Sequence, residues 1–104
     1  MQDKIYMFLG LARKANAVII GEESCLKAIR KKKVSLVLVA CDTKDNTKDK
    51  IISGCKHHNI EYRVFGTKEL IGKYIGKNIT AVVGVNNQGF VKKLVEMIDN
   101  ARKE

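Results

Sequence analysis

The segment Val34-Ser35-Leu36-Val37-Leu38-Val39-Ala40 is almost continuously apolar. A run of this length is typical of a central parallel strand that helices cover on both faces, because such a strand needs no polar side for water. We therefore expect it to form the middle of a sheet.

Shorter apolar segments on both sides of this run give an alternating order of helices and strands. Three further strands are predicted at residues 17–20, 60–65 and 80–85. Outside the strands, apolar residues recur at helical spacing, as at Ile5, Phe8, Leu9 and Ala12. The order αβαβαβαβα predicts a mostly parallel or mixed sheet between helices. A length of 104 residues fits one domain spanning residues 1–104.

Helix boundaries are predicted from residues that satisfy helix ends. The second helix is expected to start after Gly21 and to close with the turn 30–33, because acidic groups favour the N-terminal end and cations the C-terminal end. Asn46 or Thr47 is expected to cap the third helix, and Thr67 the fourth, since their side chains accept hydrogen bonds from free N–H groups.

Charge and cysteine content narrow the class of protein. The formal net charge of +9, from 20 Lys and Arg against 11 Asp and Glu, favours polyanionic partners. Cys25, Cys41 and Cys55 are widely spaced and odd in number, which indicates reduced thiols rather than a secreted disulfide framework. The start of the chain has no long apolar run, so neither a signal peptide nor a membrane helix is expected, and a cytoplasmic location follows.

Ligands of open α/β sheets collect beyond the C-terminal ends of the strands. Three loops are expected there: residues 21–24, residues 40–43 and the neighbourhood of Val85, Asn86 and Asn87. Which of these loops lie together depends on the strand order, which the sequence does not give.

Four short motifs stand in order along nearly the whole chain. They are Leu9 to Arg13, Gly21 to Glu23, Leu36 to Ala40 and Val82 to Val85. Their order and spacing resemble the ribosomal-protein superfamily of archaeal L7Ae and eukaryotic L30e, and within it the small bacterial YlxQ-like proteins. The resemblance implies an α/β fold, a three-layer αβα sandwich with a four-stranded mixed sheet and five helices. It also implies a non-enzymatic, monomeric protein without cofactor or metal, which binds kink-turn RNA, possibly ribosomal RNA.

The resemblance further implies which residues touch the RNA. In the family, the turn that opens the second helix enters the major groove at tandem sheared G·A pairs, where a sharp bend has opened a groove that A-form RNA otherwise keeps too narrow. Here that turn corresponds to Gly21, Glu22, Glu23 and Ser24, with Lys27 one helical turn further on. Asp42 matches an acidic family position that holds this lysine.

Two other sets of contacts are implied. The loop Lys77-Asn78-Ile79-Thr80 matches a family contact in which an apolar side chain supports a flipped-out nucleotide. Arg13, Lys14, Arg30 and Lys31 are expected to neutralise phosphates around the bend. The sequence departs from the family at Glu23, where archaeal members usually carry Asn, and a carboxylate beside RNA costs electrostatic energy unless a base donor meets it.

Two alternatives use the same fold differently. The first is a small enzyme or phosphocarrier, in which Cys41 at the end of the central strand is the nucleophile. The second is a protein-interaction module that has lost the RNA. Cys55, His57 and His58 are too few and too close on one helix to form a closed zinc site.

Overall fold

Helices and strands alternate along the described chain in the predicted order. The computed structural model describes residues 3–102; residues 1, 2, 103 and 104 of the predicted domain lie outside the described residues. Within residues 3–102 the helices are α1 (Asp3–Lys14), α2 (Glu22–Arg30), α3 (Asp45–His57), α4 (Lys68–Tyr74) and α5 (Gln88–Arg102), and the strands are β1 (Val18–Ile20), β2 (Leu36–Val39), β3 (Glu61–Val64) and β4 (Val82–Val85). None of these helices is long and apolar enough to cross a membrane.

The four strands form one mixed sheet in the order β1-β4-β2-β3. Strand β2 pairs parallel with β3 and antiparallel with β4, and β4 also pairs antiparallel with β1. The predicted central strand is therefore central, but it has a parallel neighbour on one side only. The mixed four-stranded sheet and the five helices confirm the predicted fold class.

Alternate residues of β2 supply the two halves of the core. Val37 and Val39 face α2 and α3, whereas Leu36 and Leu38 face α1, α4 and α5. All four side chains are fully buried. Because successive residues of a strand point to opposite faces, an unbroken apolar run can stabilise both helix layers at once.

The short helix α4 decides the direction of β4. Seven residues span only about 10 Å, and the chain then turns back at Gly76, whose φ is 79°. The Lys77 N–H donates to the Gly72 carbonyl (2.8 Å), and the Thr80 N–H donates to the Lys68 carbonyl at the start of α4 (3.0 Å). The chain thus enters β4 from the end of the sheet where β3 has just finished, so β4 runs antiparallel to its neighbours.

Two of the predicted helix boundaries were wrong and one is confirmed. Helix α2 ends at Arg30, because Lys32 takes a left-handed conformation with φ of 54° and turns the chain towards β2. Lys44 occupies the N-cap of α3, so neither Asn46 nor Thr47 caps it. Thr67 caps α4 as predicted, accepting a hydrogen bond from the Leu70 N–H at 3.2 Å.

We expect Gly72→Ala to destabilise the protein by about 1–3 kcal/mol. A Cβ at this position of α4 meets the Asn78 carbonyl oxygen at 2.6 Å and the Ile79 Cα at 3.1 Å, both of which are backbone atoms that cannot rotate away. Urea unfolding monitored by circular dichroism measures the effect.

Gly54→Ala in the interior of α3 is the matched control. Its new Cβ would meet Ile29 Cγ2 at 3.6 Å, which is ordinary contact, and alanine favours a helix interior by about 1 kcal/mol over glycine. Gly54→Ala should therefore stabilise the protein. Equal effects of the two substitutions would contradict the close approach of α4 to the loop before β4.

Candidate functional site

Three strands end and one begins at the same end of the sheet, which we call the front end. Strands β1, β2 and β3 end there, and β4 begins there. The Gly21 N–H donates to the Val82 carbonyl (3.0 Å), and the Ala40 N–H donates to the Ala81 carbonyl (2.8 Å). The start of α2, the segment after β2 and the loop before β4 are therefore neighbours.

The start of α2 presents polar side chains to solvent; we call Gly21, Glu22, Glu23, Ser24 and Lys27 the α2 corner. Gly21 has φ of 104°, a conformation that side chains rarely adopt, and a Cβ built on it would meet no atom within 4 Å. Glu23, Ser24 and Lys27 are exposed, and within residues 3–102 their side chains form no hydrogen bond or ion pair. These three side chains are available to a ligand.

Cys25 anchors the α2 corner to the sheet. Its side chain is fully buried, and its Sγ donates to the Ile19 carbonyl at 3.4 Å. Burial raises the pKa of the Cys25 thiol to about 12, since the thiolate is poorly solvated there. This cysteine is a packing residue rather than a reactive group.

The two glutamates of the α2 corner differ in their surroundings. Glu22 is half-buried, and its Oε1 accepts a hydrogen bond from Thr47 Oγ1 of α3 (3.0 Å). Lys50 Nζ lies 4.0 Å from Glu22 Oε2. Glu22 therefore ties α2 to α3, and Glu23 is the carboxylate left facing solvent.

Asp42 makes a different contact from the one that the resemblance implied. Its Oδ1 accepts a hydrogen bond from the Lys68 backbone N–H (2.9 Å) at the start of α4, and no described contact joins it to Lys27. Asp42 therefore positions α4 and, through the Lys68 carbonyl, the loop that leads into β4.

The loop of residues 77–80 combines an exposed tip with a buried base. Lys77, Asn78 and Ile79 are exposed. Ile79 has 68% of its surface in solvent, the largest value among the exposed large hydrophobic residues of the described part of the chain. Thr80 is only 4% exposed, so it holds the base of the loop. An apolar side chain this exposed, on a loop fixed by backbone hydrogen bonds, can receive an apolar group of a ligand.

Four predicted cationic residues lie at the opposite end of the sheet, which we call the rear end. Arg13 and Lys14 end α1 shortly before β1 begins. Arg30 ends α2 and Lys31 follows it, shortly before β2 begins. The structure therefore does not bring these four residues together with the α2 corner.

The loop of Val85, Asn86 and Asn87 is also at the rear end, and its expected place beside the other two loops was wrong. The Asn86 N–H donates to the Ala17 carbonyl (3.0 Å), directly before β1. The error has one cause: β4 is antiparallel, so its C-terminal end points away from the C-terminal ends of the other strands.

Sequence reasoning missed the contribution of α3 to the front end. Lys48 Nζ donates to the Cys41 carbonyl at 3.1 Å, and Lys50 approaches Glu22. The signal was available, since α3 follows β2 in the same way that α2 follows β1. The first turns of both helices therefore had to meet beyond the strand ends.

Cys41 is exposed at the front end, where the enzyme alternative requires it. Within residues 3–102 the imidazoles of His57 and His58 lie at the C-terminal end of α3, and His58 shares a rear-end cleft with Ser35 and Gln88. No described imidazole therefore lies beside Cys41 to act as its base.

The sequence profile of the ribosomal protein L7Ae/L30e/S12e/Gadd45 family matches residues 3–95. The chain belongs to this family. The match runs from the start of α1 into α5, so the α2 corner and the loop of residues 77–80 both lie inside the family domain.

Two relatives and one solved structure are similar to this family member over almost their full lengths. The RNA-binding protein YlxQ of Bacillus subtilis (strain 168) is 35% identical over 94 residues, which cover 90% of this chain and 94% of the relative. The RNA-binding protein YlxQ of Enterococcus faecium is 34% identical over 99 residues and 94% of each chain. A Bacillus halodurans C protein described as of unknown function has a TM-score of 0.89 and 36% identity, covering 92% of this chain and 97% of its own.

We expect a thiol reagent at pH 8 to modify one cysteine of the native protein rapidly and all three after denaturation. Cys41 is exposed, whereas Cys25 and Cys55 are buried, and burial raises the pKa of Cys55 to about 11. The absorbance of released thionitrobenzoate measures the reaction. Cys41→Ser should remove the rapid phase; a second rapid thiol in that variant would contradict the packing of α2 and α3.

Proposed function

We propose that this protein binds structured RNA and recognises a kink turn through the α2 corner and the loop of residues 77–80. Membership of the family and two relatives that are named RNA-binding proteins support the RNA partner. The position of the loop of residues 77–80 beside the α2 corner supports recognition of a kink turn in particular. Antiparallel β4 brings an exposed apolar tip beside an exposed polar helix start, so two different kinds of contact face one ligand.

Polar groups of the α2 corner are suited to the edges of guanine bases. The Glu23 carboxylate and the Ser24 hydroxyl accept hydrogen bonds from guanine amino and imino groups that a bend exposes. Lys27 donates to guanine O6 and N7 or to a phosphate. Gly21 adds no side chain, so the RNA can approach the backbone closely.

Glu22 and Glu23 differ in the electrostatic repulsion that their carboxylates would exert on RNA. Thr47 and Lys50 hold Glu22, so its charge is partly compensated within the protein. Glu23 has no such partner within residues 3–102, and it is the carboxylate that must meet a base donor. The N-terminal ends of α2 and α3 also point to the front end, where their partial positive charges favour phosphates.

Ile79 supplies the apolar contact of the proposal. Its side chain supports a nucleotide that the bend has turned out of the stack, while Lys77 and Asn78 are free to contact the adjoining backbone. Two contacts at fixed separation fit a bent RNA and not an extended one. Binding therefore shifts the RNA towards its bent state by the difference in affinity between the two states.

The proposal includes the setting of the protein. It acts as a monomer in the cytoplasm, without catalysis, on ribosomal or ribosome-associated RNA. The net charge of +9 speeds capture of such RNA and makes its binding dependent on salt.

We expect Lys27→Ala to weaken binding to a kink-turn duplex by about tenfold or more, because one good contact to a base edge is worth about 1–3 kcal/mol. Fluorescence anisotropy with a kink-turn duplex and a straight duplex, at two salt concentrations, measures the effect. Lys92→Ala, which removes an exposed lysine from α5, is the matched control and should leave the preference unchanged. Equal preference in the wild type and Lys27→Ala would rule out the role of the α2 corner.

We expect Ile79→Ser to weaken kink-turn binding by about fivefold while leaving stability unchanged, because partial burial of one aliphatic side chain is worth about 1 kcal/mol. Met7→Ser is a control of similar exposure, since Met7 is 59% exposed and lies on α1 rather than on this loop. The same binding assay and a thermal melt report both properties. If Met7→Ser and Ile79→Ser reduce affinity alike, the loop makes no specific contact.

A further inference from the structure

The rear end of the sheet carries a second concentration of charge that the α2 corner does not use. Three helices end there, and each ends in cations. We call the following residues the rear basic patch: Lys14, Arg30, Lys31, Lys32, Lys33 and Lys56. All six are exposed, and within residues 3–102 their side chains form no ion pair.

The topology gathers these residues although they come from the ends of three separate helices and from the segment that follows α2. The Ser35 N–H donates to the Val85 carbonyl (2.9 Å), and the Asn86 N–H donates to the Ala17 carbonyl (3.0 Å), so the ends of α1 and α2 flank the same end of β4. Lys32 and His58 line one cleft of about 380 Å³, which links the end of α2 to the end of α3. Because neighbouring strands lie about 4.8 Å apart, the patch extends over roughly 15 Å across the sheet.

Helix dipoles explain only part of this charge. Each helix C-terminus carries about −0.5 charge, so three of them favour one or two cations. The rear basic patch has six. Glu61, the acidic residue at the start of β3, does not neutralise it, since its carboxylate already accepts a hydrogen bond from Arg63. A surplus of unpaired cations on flexible side chains is the feature of a surface that binds a phosphate backbone without reading its sequence.

We propose that the rear basic patch is a second RNA-binding surface, which holds a straight duplex or the backbone of a neighbouring RNA segment regardless of any bend. The bridging role rests on the proposed function, because the two surfaces together would hold a kink turn at the front end and a second RNA segment at the rear end. The strands that separate the two ends have three or four residues, about 10–13 Å, and the loops add to that separation. One short RNA segment at the α2 corner therefore leaves the patch free.

A pair of charge-matched variants tests the surface. The rear variant is Lys31→Gln, Lys32→Gln and Lys33→Gln, and the front control is Lys4→Gln, Lys44→Gln and Lys68→Gln. Each variant loses three positive charges, so any difference between them reports position rather than net charge. Thermal melts establish that both variants fold.

The probe for these variants is a straight 20-base-pair RNA duplex, titrated by anisotropy at 50 and 200 mM KCl. We expect the rear variant to bind it about tenfold or more weakly than the front control at 50 mM, and its slope of log affinity against log salt to be smaller by about 2 to 3. Equal affinities of the two variants would overturn the proposal, as would a wild type that does not bind the straight duplex at 50 mM KCl. An acidic protein or an anionic membrane would then be the partner to examine.

A bridging assay separates this proposal from the one for the front end. Kink-turn RNA on beads should let the wild type capture a labelled straight duplex, whereas the rear variant should stay on the beads and capture little. If Lys27→Ala does not change the preference for bent RNA, the front-end proposal fails. The straight-duplex comparison then still shows whether the rear basic patch binds RNA. If the rear variant captures as much duplex as the wild type, the patch does not bridge.

Discussion

The insertion of antiparallel β4 between β1 and β2 is the constraint on which the rest of the structure depends. Its hydrogen bonds to both neighbours place its N-terminal end beside the C-terminal ends of β1 and β2. The contacts of the start of α2 and of the segment after β2 with the chain entering β4 follow from that pairing, including the bond from the Gly21 N–H to the Val82 carbonyl. A parallel β4 would have put residues 77–80 at the other end of the sheet and separated the two parts of the candidate site.

The same topology segregates charge along the strand direction. Helices α2, α3 and α4 begin at the front end, and their first turns carry acidic residues; α1, α2 and α3 end at the rear end in lysines and arginines. Dipole preferences favour this distribution within each helix, but only the fold aligns the helices so that the effects add at each end. The front end is therefore mixed in charge and suited to selective contacts, whereas the rear end is basic.

The family resemblance implied the residues of the candidate site, but the sequence did not predict how they are arranged. Glu23, Ser24 and Lys27 are exposed at the start of α2, and Ile79 is exposed on its loop, as their sequence positions suggested. The partners of Asp42 and Glu22 were not predictable, because Lys68, Thr47 and Lys50 reach them from elements distant in sequence. The rear-end position of Arg13, Lys14, Arg30 and Lys31 was not predictable for the same reason, and their contact with RNA phosphates stays a prediction.

The sequence by itself determined the order and type of the elements, the two apolar faces of β2 and the Thr67 cap, since periodicity, continuous apolar runs and capping groups act over a few neighbouring residues. Tertiary structure alone decided the strand order, the direction of β4 and the loops that meet at each end. Strand pairing depends on hydrogen bonds between residues far apart in the chain, which local patterns do not specify. Here the direction of β4 depended on α4, a seven-residue helix that is too short to carry the chain back to the rear end of the sheet.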